Sequence, residues 1–188
     1  SDVRMRLVQA HQASNPPQWA DVDRILEQAQ RMPQIKDDPT WWFAHAQALR
    51  ARGRGPDAIA KLEQAMKLQP DAPAFVREHI ELLLETGQFQ KALAEADGII
   101  AKPAGQREWW ASMLRGVALE KLGRRDEAIA AFERSVELAI AVHESVAAQV
   151  VVRLAQAMGR DKAIQLAMEQ AGRRPSLVPM IALLHVEG

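Results

Sequence analysis

The chain has 188 residues, no cysteine, and 24 basic side chains against 24 acidic ones. The missing cysteine excludes disulfides, thiolate metal sites and cysteine nucleophiles. The zero net charge argues against a general nucleic-acid or acidic-membrane binder, which would carry a basic excess. Alanine, leucine, glutamate, glutamine and arginine dominate, and tyrosine is absent. That balance favours helix over sheet and predicts an all-α chain. No apolar run reaches the ~18 residues that a spanning helix needs, so no membrane insertion is expected. The opening Ser1-Asp2-Val3-Arg4 has neither an initiator methionine nor a signal-peptide pattern, which reads as an excised fragment or a mature segment. The expected compartment is cytoplasmic or periplasmic, for a soluble protein.

Residues 1–38 read as a degenerate first helix pair. Leu26-Glu27-Gln28-Ala29 echoes Leu62-Glu63-Gln64-Ala65, and Pro33 follows as Pro70 follows there. The turn of this pair is Asn15-Pro16-Pro17. Residues 39–72 form the clearest unit. Asp38-Pro39-Thr40 opens a helix with a side-chain cap and a first-turn proline. Trp42, Ala46 and Leu49 recur at helical spacing, and Gly53-Arg54-Gly55 breaks the helix. Pro56 starts a second helix with Ala58, Ile59, Leu62, Ala65, Met66 and Leu68 on its apolar face, and Pro70 closes it.

Residues 73–106 repeat this grammar, with Val76, Ile80 and Leu83 before Gly87, then Ala92, Leu93, Ala96, Ile99 and Ile100. Residues 107–144 turn at Gly123 and carry Ala128, Ile129, Phe132 and Val136. Residues 145–175 turn at Gly159 and carry Ala163, Ile164 and Ala167. Residues 176–188 read as a terminal or capping helix with an apolar face from Leu177 to Leu184. The whole is expected to be one solenoid domain.

The turn glycines Gly53, Gly87, Gly123 and Gly159 stand 34, 36 and 36 residues apart. A period in this range signals stacked helix pairs. Trp42, Ala46, Leu49, Gly53, Ala58, Leu62, Ala65 and Pro70 follow one another as tryptophan, small residue, large apolar, glycine, alanine, large apolar, alanine and proline. In this the chain resembles the tetratricopeptide repeat (TPR) family over nearly its whole length. Small residues such as Ala46, Gly116, Ala58 and Ala128 let paired helices approach, and Leu49, Leu62 and Phe132 fill the grooves. Ile80 and Val152 depart from the family by occupying small-residue slots, and Ser135 stands in place of an alanine.

The resemblance implies an antiparallel helix-pair solenoid, a right-handed superhelix whose first helices line a concave groove. It also implies non-catalytic binding of a partner protein or peptide in that groove. By register the groove strip is Thr40, Phe43, Gln47 and Arg50, then Ala74, Arg77, Glu81 and Leu84. Trp110, Met113, Val117 and Glu120 follow, and Val146, Gln149, Arg153 and Gln156 complete it. Of these, Phe43, Gln47, Arg50, Arg77, Glu81, Trp110, Met113 and Arg153 are the expected partner-binding residues. Aromatic side chains supply anchor area and arginines supply forked bonds to carboxylates. The plainer reading of Arg77 and Glu81 is a helix-surface pair one turn apart.

Trp42 is expected in the packing between repeats and Trp110 towards the groove. They lie 11 and 13 residues before their turn glycines, and two residues rotate a helical position by roughly 200°. The family's carboxylate clamp does not fit, since its slots hold Phe43 and Gln47, then Glu78, then Trp110 and Leu114. His45 and His79 occupy matching slots and read as packing histidines rather than metal ligands. His143-Glu144 has no second histidine one turn on, and neither a nucleophile elbow nor a phosphate loop is present. The short basic spots Arg50-Arg52-Arg54 and Arg173-Arg174 read as helix-end charges. No cofactor is expected.

Two other readings stay open. The chain could be a structural stretch of a longer scaffold in an assembly or export machine, with self-association through its repeat ends. It could also position an enzyme fused elsewhere in the same polypeptide.

Overall fold

The computed structural model describes residues 8–9, 11–14, 16–33, 37–105, 108–142, 146, 150–152, 155 and 159–171. Among them every regular element is helical. The main helices are α1 Trp19–Gln30, α2 Pro39–Arg50, α3 Gly55–Leu68, α4 Pro73–Glu85, α5 Phe89–Ile100, α6 Trp109–Lys121, α7 Arg125–Val142 and α8 Arg160–Ala171. The chain divides into two compact units, Ser1–Gly87 and Gln88–Gly188. The expected terminal helix of residues 176–188 lies outside the described residues.

Local chemistry places the helix ends. The Asp38 carboxylate accepts from the Thr40 backbone N–H at 3.0 Å and caps α2, with Pro39 in the first turn. After α2 the chain reverses at Gly53, whose φ of 71° lies in the left-handed region. There the Gly53 N–H donates to the Arg50 carbonyl and the Arg54 N–H to the Leu49 carbonyl. This pair of hydrogen bonds closes the helix and takes up carbonyls that would otherwise be orphaned. Gly123 and Arg124 repeat both bonds onto Glu120 and Leu119. Gly87 and Gly159 share the positive φ.

In the first unit α1 packs on α2, α2 on α3 and α3 on α4. Trp41 is 1% exposed and lies in a cluster with Val8, Val22, Leu26, Ala29, Ala44 and Ala48. The sequence placed Trp42 in the packing between repeats. Trp41 holds the buried position instead, and Trp42 is half-buried with the Lys61 ammonium 5.3 Å from its ring centre. Adjacent helical residues point about 100° apart, so one tryptophan faces α1 and the other α3. Ala46, Ala58, Leu62 and Ala65 are fully buried, as the repeat pattern requires. Leu68 is 43% exposed because it is the last residue of α3.

In the second unit α6 packs on α5 and on α7. Gly116 permits the close approach of α6 to α7. A Cβ there would stand 2.5 Å from the Phe132 ring. Ser135, which stands in place of an alanine, is fully buried and donates its Oγ–H to the Trp109 carbonyl at 2.8 Å. The hydroxyl is accommodated because it finds an acceptor at the start of α6.

Candidate partner-binding faces

In the first unit, one face of α2 and α4 gathers most of the expected groove residues. Phe43 and Phe75 meet with ring centres 4.9 Å apart, tilted by 36°. Gln47, one turn on from Phe43, is exposed. One further turn on, Arg50 crosses to α4. It donates to Glu78 at 2.8 Å, to Glu81 at 3.0 Å, and to Glu85 through both Nε and Nη2. Glu78, Glu81 and Glu85 stand three and four residues apart and so share one helix face. Arg77 closes the network by donating to Glu81 at 3.1 Å.

These contacts set the electrostatics. Burial works against the Arg50 charge, but the bonds it donates to Glu85 and Glu78 outweigh this and hold the guanidinium above its ordinary pKa. Burial likewise pushes Glu81 up, and Arg77 with Arg50 more than offsets this, leaving the carboxyl below its usual value. Arg50 and Glu81 are therefore both ionised at neutral pH. Arg50 was expected among the partner-binding groove residues. In the structure three carboxylates of its own unit already occupy it. The helix-surface pair between Arg77 and Glu81 is present.

Nothing in the sequence alone assigns a role to Glu85, and Glu78 stands there only in a slot that does not fit the family's clamp. Their spacing on α4 was visible, but their link to Arg50 spans 28 and 35 residues of chain. Only packing of α2 against α4 creates it.

The basic spot at residues 50–54 resolves in the same way. Arg52 forks onto Asp23, and Arg54 pairs with Asp57 at 2.7 Å. Each of the three arginines thus has a carboxylate partner.

In the second unit Trp110 is 6% exposed and Met113 2%. The Trp110 Nε1–H donates to Glu108 at 2.6 Å. Both side chains lie within the fold, so as folded the chain does not present Trp110 as an open aromatic anchor. Arg153 lies outside the described residues.

A cleft of about 270 Å³ lies in the first unit, lined by Asp23, Glu27, His45, Leu49, Arg54, Asp57, Ala60 and Lys61. His45 is 5% exposed, and its Nδ1 accepts from the Gln30 amide at 2.8 Å. Burial, reinforced by the nearby Lys61 charge, lowers the imidazole pKa to about 4. Among the described residues no group of three or more His, Cys, Asp or Glu side chains could hold a metal ion. No described helix is long and apolar enough to cross a membrane.

A family model for the tetratricopeptide repeat matches residues 1–139. With the glycine-turned helix pairs described above, the chain belongs to the tetratricopeptide repeat family. No curated protein matches it in sequence. Among solved structures, it is similar to MamA 41-end from Desulfovibrio magneticus RS-1. The two share 18% identity with a TM-score of 0.65, over 93% of this chain and 95% of that one. The MamA RS-1 ArsTM double mutant gives 20% identity and a TM-score of 0.64, over 91% and 96%. PilW, described as a widely conserved type IV pilus biogenesis factor, gives 17% identity and a TM-score of 0.65, over 97% and 81%. At these identities the likeness shows the fold.

Proposed function

We propose that this chain is a non-catalytic interaction module that serves as a structural segment of a larger protein assembly. The α2–α4 face is the observation that carries this reading. It presents half-buried Phe43 backed by the buried Phe75 ring, an exposed amide and an ion network that already holds its own geometry. Such a surface is rigid before binding, which lowers the entropy cost of docking a partner. The tetratricopeptide fold supports the reading, since stacked helix pairs make extended binding surfaces. So does the likeness to PilW, a type IV pilus biogenesis factor.

The finer form of the proposal is a partner segment lying across Phe43, Gln47, Arg77 and Glu81. Arg50 then positions Glu78, Glu81 and Glu85 rather than gripping the partner. Trp110 and Met113 support their helix from within.

The test is capture of partners by the full chain from the native lysate, beside Gln47→Lys and a control, Glu63→Lys, on an exposed position of α3. A partner retained by wild type and control but lost by Gln47→Lys supports the α2–α4 face. A partner retained by all three moves binding elsewhere. Sedimentation of the purified chain over a concentration series tests self-association, and a single monomeric species would exclude it.

A further inference from the structure

The cleft between α1, α2 and α3 has a charge pattern that the packing of the helices does not require. Asp23 is satisfied by Arg52, and Asp57 by Arg54. Two lining charges are left over. Glu27 on α1 is exposed, Lys61 on α3 is half-buried, and neither has an ion-pair partner among the described residues. The one described contact of the Lys61 ammonium is with the Trp42 ring. His45, a buried polar ring, and Leu49 also line the cleft.

The ring has a defined hydrogen-bonding state. A neutral imidazole that accepts at Nδ1 carries its proton on Nε2. The Gln30 amide donates to Nδ1, so the donor edge of His45 is Nε2–H. A cleft of about 270 Å³ lies just below the range of drug-sized pockets, ~300–1,000 Å³. Its volume suits an amino acid or a dipeptide. It also lies on a different side of α2 from the contact strip, because His45 is two residues from Phe43 and so is turned roughly 200° from it.

We propose that this cleft is a binding site for an amino-acid-like zwitterion, with its ammonium against Glu27 and its carboxylate against Lys61 over the His45 ring. The chemistry follows from the two leftover charges. A simple anion would meet Lys61 but also Glu27, Asp23 and Asp57. A simple cation would meet Glu27 but also Lys61. A ligand carrying both charges satisfies the pair and leaves the Asp23–Arg52 and Asp57–Arg54 bridges intact. The Leu49 and Ala60 side chains offer a small apolar wall for a short side chain. This site is independent of the α2–α4 face and of the assembly role proposed for it.

The test uses the full chain and alanylalanine as probe, followed by NMR of backbone amides and of the His45 ring. Saturable shifts at Glu27, His45, Ala60 and Lys61 are expected. N-acetylation or C-amidation of the probe should each weaken binding about tenfold, the equivalent of ~1.4 kcal/mol. In Glu27→Gln the penalty for N-acetylation should vanish, and in Lys61→Met the penalty for C-amidation should vanish. If the doubly capped dipeptide binds as well as the zwitterion, the proposal fails. It fails equally if acetate binds as well, or if no saturable shift appears at the lining residues. The capped probes on wild-type protein decide the matter even where a variant does not fold.

Discussion

Arg52 grips Asp23 through both Nη atoms, at 2.7 and 2.6 Å, while its guanidinium carbon lies 5.3 Å over the Trp19 ring. A third bond, from Nε to the Ala48 carbonyl, anchors the same side chain to the last turns of α2. One residue thereby ties α1 to α2. Lysine reproduces the charge but neither the fork nor the stacking.

Arg52→Lys is expected to lower stability by about 1–2 kcal/mol, a figure kept small because the Asp23 side chain is 33% exposed. The bond from Arg52 is the largest influence on Asp23 and holds its pKa below the usual value. A depressed carboxylate contributes stability above its unfolded pKa and loses it as pH falls through the folded one. Urea melts should therefore show the gap between wild type and variant at pH 7 shrinking in acid. An undiminished gap at low pH would assign the effect to stacking alone.

His45 also loses stability in acid, but in a higher pH window. Its pKa is lowered to about 4 from an ordinary 6.5, chiefly by burial. Between those values the unfolded chain binds a proton that the folded chain refuses, so stability falls as pH drops from 6.5 towards 4. The loss is at most ~3 kcal/mol at 1.36 kcal/mol per unit. His45→Gln should flatten that part of the pH–stability curve. Direct titration of the His45 ring by NMR gives the folded value, and a ring that titrates near 6.5 would refute the account.

The α6–α7 contact is tuned to a missing methyl. Gly116→Ala should cost about 1–3 kcal/mol, because the new Cβ lies within 2.5 Å of the Phe132 ring. Phe132→Leu alone should also destabilise, since Phe132 is 1% exposed. The double variant should lose less than the sum of the two. Strict additivity in chemical denaturation would show that the two residues do not share one space.

Glu120 holds a local cost. Its Oε2 is buried with no hydrogen-bond partner among the described residues. Burial raises the carboxyl pKa, more than Lys121 and Arg125 lower it. A raised carboxylate favours the fold when protonated and opposes it when charged. Glu120→Gln should thus add about 1 kcal/mol at pH 7. The gain should disappear as pH falls through the raised pKa, where the wild-type group is itself neutral. A variant less stable than wild type at pH 7 would mean that attraction to Lys121 and Arg125 outweighs burial.

The repeat family, the glycine turns and the described helices beside them were legible in the sequence, because they rest on local rules. Proline belongs in a first turn, aspartate caps a helix, and glycine tolerates a φ near 71° as at Gly53. Alanine and leucine spacing then marks which faces pack. These signals act within about one turn of helix and need no knowledge of distant chain. Ala46, Ala58, Leu62 and Ala65 are buried for that reason, and so is the Gly116 contact with Phe132.

What only the tertiary structure decided is which neighbour each side chain meets. Arg50 had the right register for a partner, yet Glu78, Glu81 and Glu85 from another helix reach it first. Trp41 and Trp42 are adjacent in sequence, and the packing of α1 against α2 chose which one to bury. Ser135 departs from its repeat until the Trp109 carbonyl is seen 2.8 Å away. The cleft above His45 likewise exists only when α1 and α3 flank α2. Helical periodicity sets the direction in which a side chain points, and long-range packing sets the charge, acceptor or void it finds there.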